Sequence, residues 1–185
     1  MMAGHDSCPA PVVNKPSSAA PQPALFEASV PVCQRYLGAL SGWLERADPD
    51  RLPELLGQCL TPDMLPLQAQ VEIACNFALR LCFPLAGREV PDYGSFAPTP
   101  AGLQARLAHV QSLLACLNPA DFEAPPDWIE DRAGQALLRL PPDDFLHLYA
   151  LPNFFFHCSM AYALLRLHGV PLGKPQFDGF HIYPD

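Results

Sequence analysis

The chain has 185 residues, half of them apolar and only 16% charged, and its 19 acidic against 11 basic side chains leave a net charge of −8. That length fits a single domain with ample material for a core. The acidic balance, with Lys and Arg scattered singly, excludes a nucleic-acid partner, because displacing counterions from a phosphate backbone needs concentrated cations.

Residues 1–24 are rich in Pro, Ala and Ser, carry no helical stripe and offer little to bury. They read as a disordered tail ahead of one domain over residues 25–185. Nothing there resembles a signal peptide, and no apolar run reaches the roughly 18–20 residues needed to cross a bilayer. A cytoplasmic protein with no membrane partner is expected. The seven cysteines are odd in number, form no CxxC pair and mostly sit in apolar periodic segments. They read as free thiols used as small hydrophobes in a reducing compartment.

Val30, Cys33, Leu37, Leu40 and Leu44 recur at spacings of three and four, which places them on one face of a first helix. Ser29 is its expected N-cap, Pro31 fits the first turn, and Asp48-Pro49-Asp50 reads as the turn that ends it. After a short helical turn within 52–60, Thr61 is the expected cap of a second helix with Pro62 at its first position. Its stripe is Leu67, Val71, Ala74, Ala78, Leu81 and Leu85, and Pro84 and Gly87 should close it. Thr99-Pro100 repeats the cap-then-proline signal before the stripe Leu103, Leu107, Val110, Leu114 and Leu117. Trp128–Glu130 and Ala136–Leu140 flank Gly134 as a small hairpin. The last long element, from Asp143 or Asp144 to about His168, is apolar on nearly every side, so it should be covered on more than one face. Pro152 should kink or divide it, Gly169 should stop it, and His168 should hydrogen-bond its last carbonyls. The remaining aromatic-bearing tail should lie against the domain. The fold class is therefore all-α: an antiparallel four-helix bundle with a small β-hairpin before the last helix. The connections permit antiparallel neighbours or a longer crossover.

From Leu151-Pro152-Asn153-Phe154-Phe155-Phe156-His157, followed by Ala161-Tyr162, Leu164-Leu165-Arg166 and Gly169-Val170, the chain resembles a domain-of-unknown-function family of the DinB/YfiT-like superfamily of metalloenzymes. Phe26–Val32, Met64–Leu67 with Gln70-Val71, and Gly169–Phe177 fit the same pattern, so the resemblance spans residues 25–178. It implies a DinB/YfiT-like four-helix bundle, often dimeric. It also implies a divalent metal held by three histidines, one on the second helix and two in an H-x-x-x-H pattern on the fourth, and in some members a thiol-cofactor-dependent transferase. On this chain the fourth-helix positions fall on Asn153 and His157, and the second-helix position near Asn76 or Phe77. A catalytic zinc site wants three His, Cys or carboxylate ligands and an open position. His157 is thus the one matching ligand for zinc or nickel. Cys75 and Cys158 point about 100° away from the site positions they neighbour, and His147 lies nearly three turns before His157.

Asn153 and His157 share a helical face. They are candidates to line a pocket, or else to hold two helices in register, and with Gln70 and Tyr162 they could form one buried polar network. The run Phe154–Phe156 reads as core and interface. Three functions stay open: a non-catalytic bundle that binds a small-molecule ligand or acts as a dimeric interaction module, a diverged metal- or thiol-cofactor-dependent transferase built around His157, and a redox role for the cysteines. The apolar fourth helix points to a homodimer.

Overall fold

The structure, a computed structural model, describes residues 23–181. The expectation of a disordered tail lies, except for its last two residues, outside them. The chain order is α1 (Pro23–Glu27), α2 (Val30–Glu45), α3 (Leu52–Leu55), α4 (Leu67–Leu85), α5 (Pro100–Leu114), β1 (Ile129–Ala133), β2 (Ala136–Leu140), α6 (Pro142–Asp144), α7 (Leu151–Leu167) and α8 (Lys174–Asp178). A 3-10 turn at Pro119–Phe122 follows α5, and a π-helical stretch at Phe145–Ala150 joins α6 to α7. The expected hairpin is present, with β1 and β2 antiparallel and Gly134 supplying the positive φ of its turn. The expected stripes on α2, α4 and α5 are buried along their length.

The four long helices form the expected bundle, and the contacts between them fix its topology. Gln111 on α5 donates to Gln34 O and Gln104 to Ser41 O, so α2 and α5 are antiparallel. Gln70 meets His157 and Arg80 meets Tyr149, so α4 and α7 are antiparallel. Tyr36 packs on Phe155 and Trp43 on Tyr162, so α2 and α7 run parallel. The bundle is therefore up-down-down-up, not a simple alternation. The loop over 86–99 makes this work by returning the chain along α5, where Phe96 packs on His109.

Several helix ends differ from expectation. Ser29 stands at the N-cap of α2 as expected, but its side chain makes no capping bond; its hydroxyl donates back to Leu25 O at 2.5 Å and Phe26 O at 3.2 Å, closing α1 instead. Thr61 donates to Asp63 within a turn, and α4 begins only at Leu67, with Pro66 at its N-cap. Pro84 lies inside the last turn of α4, and Gly87 (φ 66°) closes it. Thr99 does cap α5, accepting from Gly102 N–H at 3.1 Å. Pro152 does not break the fourth helix. The π stretch immediately before it changes the winding, and the helix continues as α-helix from Leu151, as π-bulges allow when a donor is missing. The continuous helix Pro142–Leu167 has 26 residues and is long and apolar enough to cross a membrane by length and composition alone, contrary to the sequence expectation. Here its inner face packs on α4 and α2. Leu148, Phe156 and Leu167 on it are exposed, so it is covered less completely than its composition predicts.

The C-terminal tail lies against the bundle as expected. Phe177 of α8 stacks on Trp43 and meets Tyr36 and Tyr162 edge-on, while Trp43 Nε1–H donates to Gln176 O at 2.7 Å.

Candidate functional site

His157 sits midway along the fourth helix, 8% exposed, between the face of Phe77 (5.9 Å, 20°) and the edge of Phe156 (5.1 Å, 87°). Its Nδ1 is 2.8 Å from Gln70 Oε1. Gln70 is itself oriented: its Nε2–H donates to Leu65 O at 3.1 Å, so Oε1 must be the atom facing the ring. An amide oxygen only accepts, so Nδ1 carries the proton and Nε2 holds the free lone pair of the neutral ring. Among the described residues that lone pair has no partner, and it is not sealed from solvent. Burial lowers the His157 pKa below its ordinary value of 6.5, so the folded chain favours this neutral state.

Of the expected network, only Gln70 and His157 are hydrogen-bonded to each other. Asn153 lies one turn earlier on the same face, and its Nδ2–H donates to Tyr149 O at 2.7 Å, which leaves Oδ1 as an acceptor. Tyr162 is not part of it: five residues from His157 is about 140° around the helix, and its ring packs on Trp43 and Phe177 instead. Asn76 faces α5, where its Oδ1 accepts from Arg106 Nη1 at 3.1 Å. Of the two expected second-helix positions, it is Phe77 that meets His157. Cys75 and Cys158 are buried in the core, and His147 is exposed on the π stretch. Among the described residues no three His, Cys, Asp or Glu side chains come together to hold a metal ion. One imidazole, one amide and a phenyl ring do not fit the three-ligand zinc or nickel site of the superfamily.

A second cluster adjoins the site and escaped the sequence reading. Arg80 Nη2 donates to Asp131 Oδ2 (2.7 Å), Arg132 O (2.7 Å) and Tyr149 OH (3.0 Å), and its guanidinium lies 4.6 Å over the Phe77 ring. Burial opposes its charge, but the bond and charge of Asp131 outweigh this and raise its pKa. For Tyr149 burial itself raises the pKa. The cluster ties the hairpin to α4 and α7 and buttresses the ring that His157 stacks on. Its only sequence signal is a lone cation inside the apolar run of α4.

The described thiols divide sharply. Cys33, Cys75, Cys82 and Cys158 are fully buried, whereas Cys59 is half-buried and Cys116 exposed. Burial raises Cys33, Cys75 and Cys158, with Cys75 pushed up to about 12, so these stay protonated and unreactive. In the native protein, iodoacetamide should label Cys59 and Cys116 within minutes and leave those four unmodified until denaturant is added. Mass mapping of the alkylated peptides checks this, and rapid native labelling of Cys33 or Cys158 would restore them as redox candidates.

Two surface clefts are lined by other residues: one between α2 and α5 around Ser41 and Gln104, the other where α2 and α7 end. Comparison with known proteins places the chain more closely. The profile of a family described as a domain of unknown function (DUF1993) matches residues 25–178. Among solved structures, a DinB family member protein from Shewanella denitrificans is 28% identical and superposes with a TM-score of 0.77, the match covering 89% of this chain and 97% of that one. Among curated proteins nothing matches.

Proposed function

The chain belongs to the family of the domain of unknown function DUF1993, and from that premise we propose that it is a non-catalytic binding module, a DinB-like bundle that holds a small ligand at His157. The observation that supports this reading is the clamp Leu65 O–Gln70–His157, which fixes a neutral imidazole with its Nε2 lone pair outward. With Asn153 Oδ1 on the same face and Phe77 and Phe156 flanking, the site offers acceptors and aromatic surface. It suits a ligand that brings hydrogen-bond donors, such as an amine or alcohol on an apolar body.

The test follows His157 by 15N-edited NMR. The free protein should show the Nδ1–H tautomer, and benzylamine or benzyl alcohol should shift Nε2 saturably. Gln70→Leu should cost about 1–3 kcal/mol by leaving the Nδ1–H unsatisfied and should mix the tautomers. The folded pKa is depressed, so the stability linked to His157 is full above about pH 6.5 and is lost as the pH falls through the lower folded value. His157→Gln should remove that part of the slope in urea melts between pH 5 and 7. If neither probe moves Nε2, the ligand reading fails.

The competing reading, a diverged metal- or thiol-cofactor-dependent transferase, draws on the same clamp, since a metal-binding histidine is commonly held by a partner on its other nitrogen. One tightly bound equivalent of zinc or nickel, lost in His157→Ala, would favour it. We also propose a homodimer formed through the outer face of the fourth helix. Leu148, Pro152 and Phe156 follow at intervals of four, and Leu167 lies three turns beyond Phe156, all of them exposed. Light scattering at micromolar concentration should give twice the 20.2 kDa chain mass, and Phe156→Glu with Leu167→Glu should give the monomer. A monomeric parent protein would remove this proposal.

A further inference from the structure

The cleft where α2 and α7 end has a volume of about 370 Å3, and its lining includes Arg46, Arg51, Leu55, His168 and Val170. That falls within the usual size of small-ligand sites, roughly 300–1,000 Å3. Ala47, Leu55 and Val170 are buried and give it an apolar floor, while Arg46 and Arg51 stand exposed at its mouth. The single carboxylate of the lining, Asp48, already accepts from Asp50 N–H at 3.0 Å.

Most of the other described arginines are engaged. Arg80, Arg88 and Arg139 are ion-paired, Arg35 and Arg166 donate to backbone carbonyls, and Arg106 donates to Asn76. Among the described residues, Arg46, Arg51 and Arg132 are the arginines whose side chains have no partner, and two of these three line one cleft. The dipoles of α2 and α7 account for a cation at Arg46 and for His168, which stand at their C-caps. They do not account for Arg51, which precedes the single helical turn of α3. His168 does not bond the last carbonyls through its ring as expected. Its backbone N–H reaches Leu164 O, and its ring Nε2 is sealed from solvent without a partner. No hydrogen bond among the described residues therefore commits this ring.

We propose that this cleft binds a small organic oxyanion, a carboxylate or phosphate ester carried on an apolar body. Arg46 and Arg51 hold the anionic group, for which the guanidinium fork suits either geometry. Ala47, Leu55 and Val170 receive the apolar part. The nearby helix C-termini repel an anion, so neither arginine alone suffices. The site is separate from His157, which lies eleven residues earlier on the same helix, about 16 Å away.

The test is an NMR titration of the full chain with benzoate, phenyl phosphate and the neutral benzyl alcohol, following His168, Leu55 and Val170. Saturable shifts with either anion support the site, and the tighter of the two names its source as carboxylate or phosphate ester. Arg46→Gln and Arg51→Gln should each weaken binding about tenfold or more. Arg132→Gln, which removes the same charge from an exposed guanidinium elsewhere, should leave the Kd within about twofold. Any of three results overturns the proposal: no saturable shift with either anion, equal affinity for benzyl alcohol, or equal weakening by Arg132→Gln and Arg51→Gln.

Discussion

Replacing Trp43 by alanine is expected to lower the stability of the fold by about 3–5 kcal/mol, the range for emptying a large aromatic site in a core. Trp43 is 1% exposed and joins three elements. Its ring stacks on Phe177 of α8 at 5.5 Å and meets Tyr162 of α7 edge-on, and its Nε1–H is held by Gln176 O. Alanine would leave a cavity between α2 and α7 and free α8 from its main anchor, so the loss exceeds that of a side chain buried within one helix pair. In urea unfolding the midpoint should fall with little change of slope, and a thermal midpoint should drop by roughly 10 °C or more. Trp43→Phe separates the two contributions. It keeps most of the ring and loses the N–H, and should cost about 1 kcal/mol for the hydrogen bond plus a partial cavity. An alanine variant within about 1 kcal/mol of the parent would mean that α8 does not dock on Trp43.

The same contacts explain which parts of the architecture could be read from sequence. Stripes such as Leu103, Leu107, Val110 and Leu114 identify a buried face because a helix repeats every 3.6 residues. A face carries no direction, so the parallel pairing of α2 with α7 had no signature in the stripes. It depends on the loop over 86–99 returning along α5. Short polar caps were equally ambiguous. Ser29 and Thr99 both precede a helix and a proline, yet Thr99 accepts from Gly102 N–H while Ser29 donates backward to α1. Nothing in the first helix stripe announces that α1 exists to receive that bond. Pro152 misled for a related reason, since its missing N–H is harmless once the preceding turn has π winding.

At the site, sequence identified the polar side chains that break apolar stripes but not their partners. Gln70 and His157 stood out in that way, and they do meet. Tyr162 and Asn76 also stood out, but each points to a different neighbouring helix, a matter of angular position that spacing along one helix resolves only to within a residue. Arg80 is the clearest omission. Its partner Asp131 lies on the hairpin, 51 residues away in sequence, and the bond between them exists only because the hairpin folds onto the α4–α7 seam. The consequence for function is that His157 is supported from two sides: by the Gln70 clamp on its nitrogen, and by Phe77, held under Arg80, on its face.

The second large effect concerns Gly102, where two familiar tendencies oppose each other. Helix propensity favours alanine over glycine in a helix by about 1 kcal/mol, and Gly102 lies in the first turn of α5. A Cβ built there, however, would stand 1.9 Å from Ala97 O and 2.9 Å from Ala97 C. Those are backbone atoms, so no side-chain rotation relieves the overlap. The carbonyl also accepts from Thr99 N–H at 2.8 Å, in the turn that lets Thr99 cap the helix. Making room would displace the end of the returning loop, the segment on which the down-down pairing of α4 and α5 depends. The clash should therefore win, and Gly102→Ala should destabilise by about 2–3 kcal/mol, the scale of overpacking that the backbone must absorb. Gly42 is the matched control. It lies in α2 with nothing within 4 Å of its Cβ position, so Gly42→Ala should gain about 0.5–1 kcal/mol. Opposite signs in the two urea titrations are the expected result. If both variants gained stability, the close approach of residue 97 to α5 would be absent, and with it the path of the loop that sets the up-down-down-up topology.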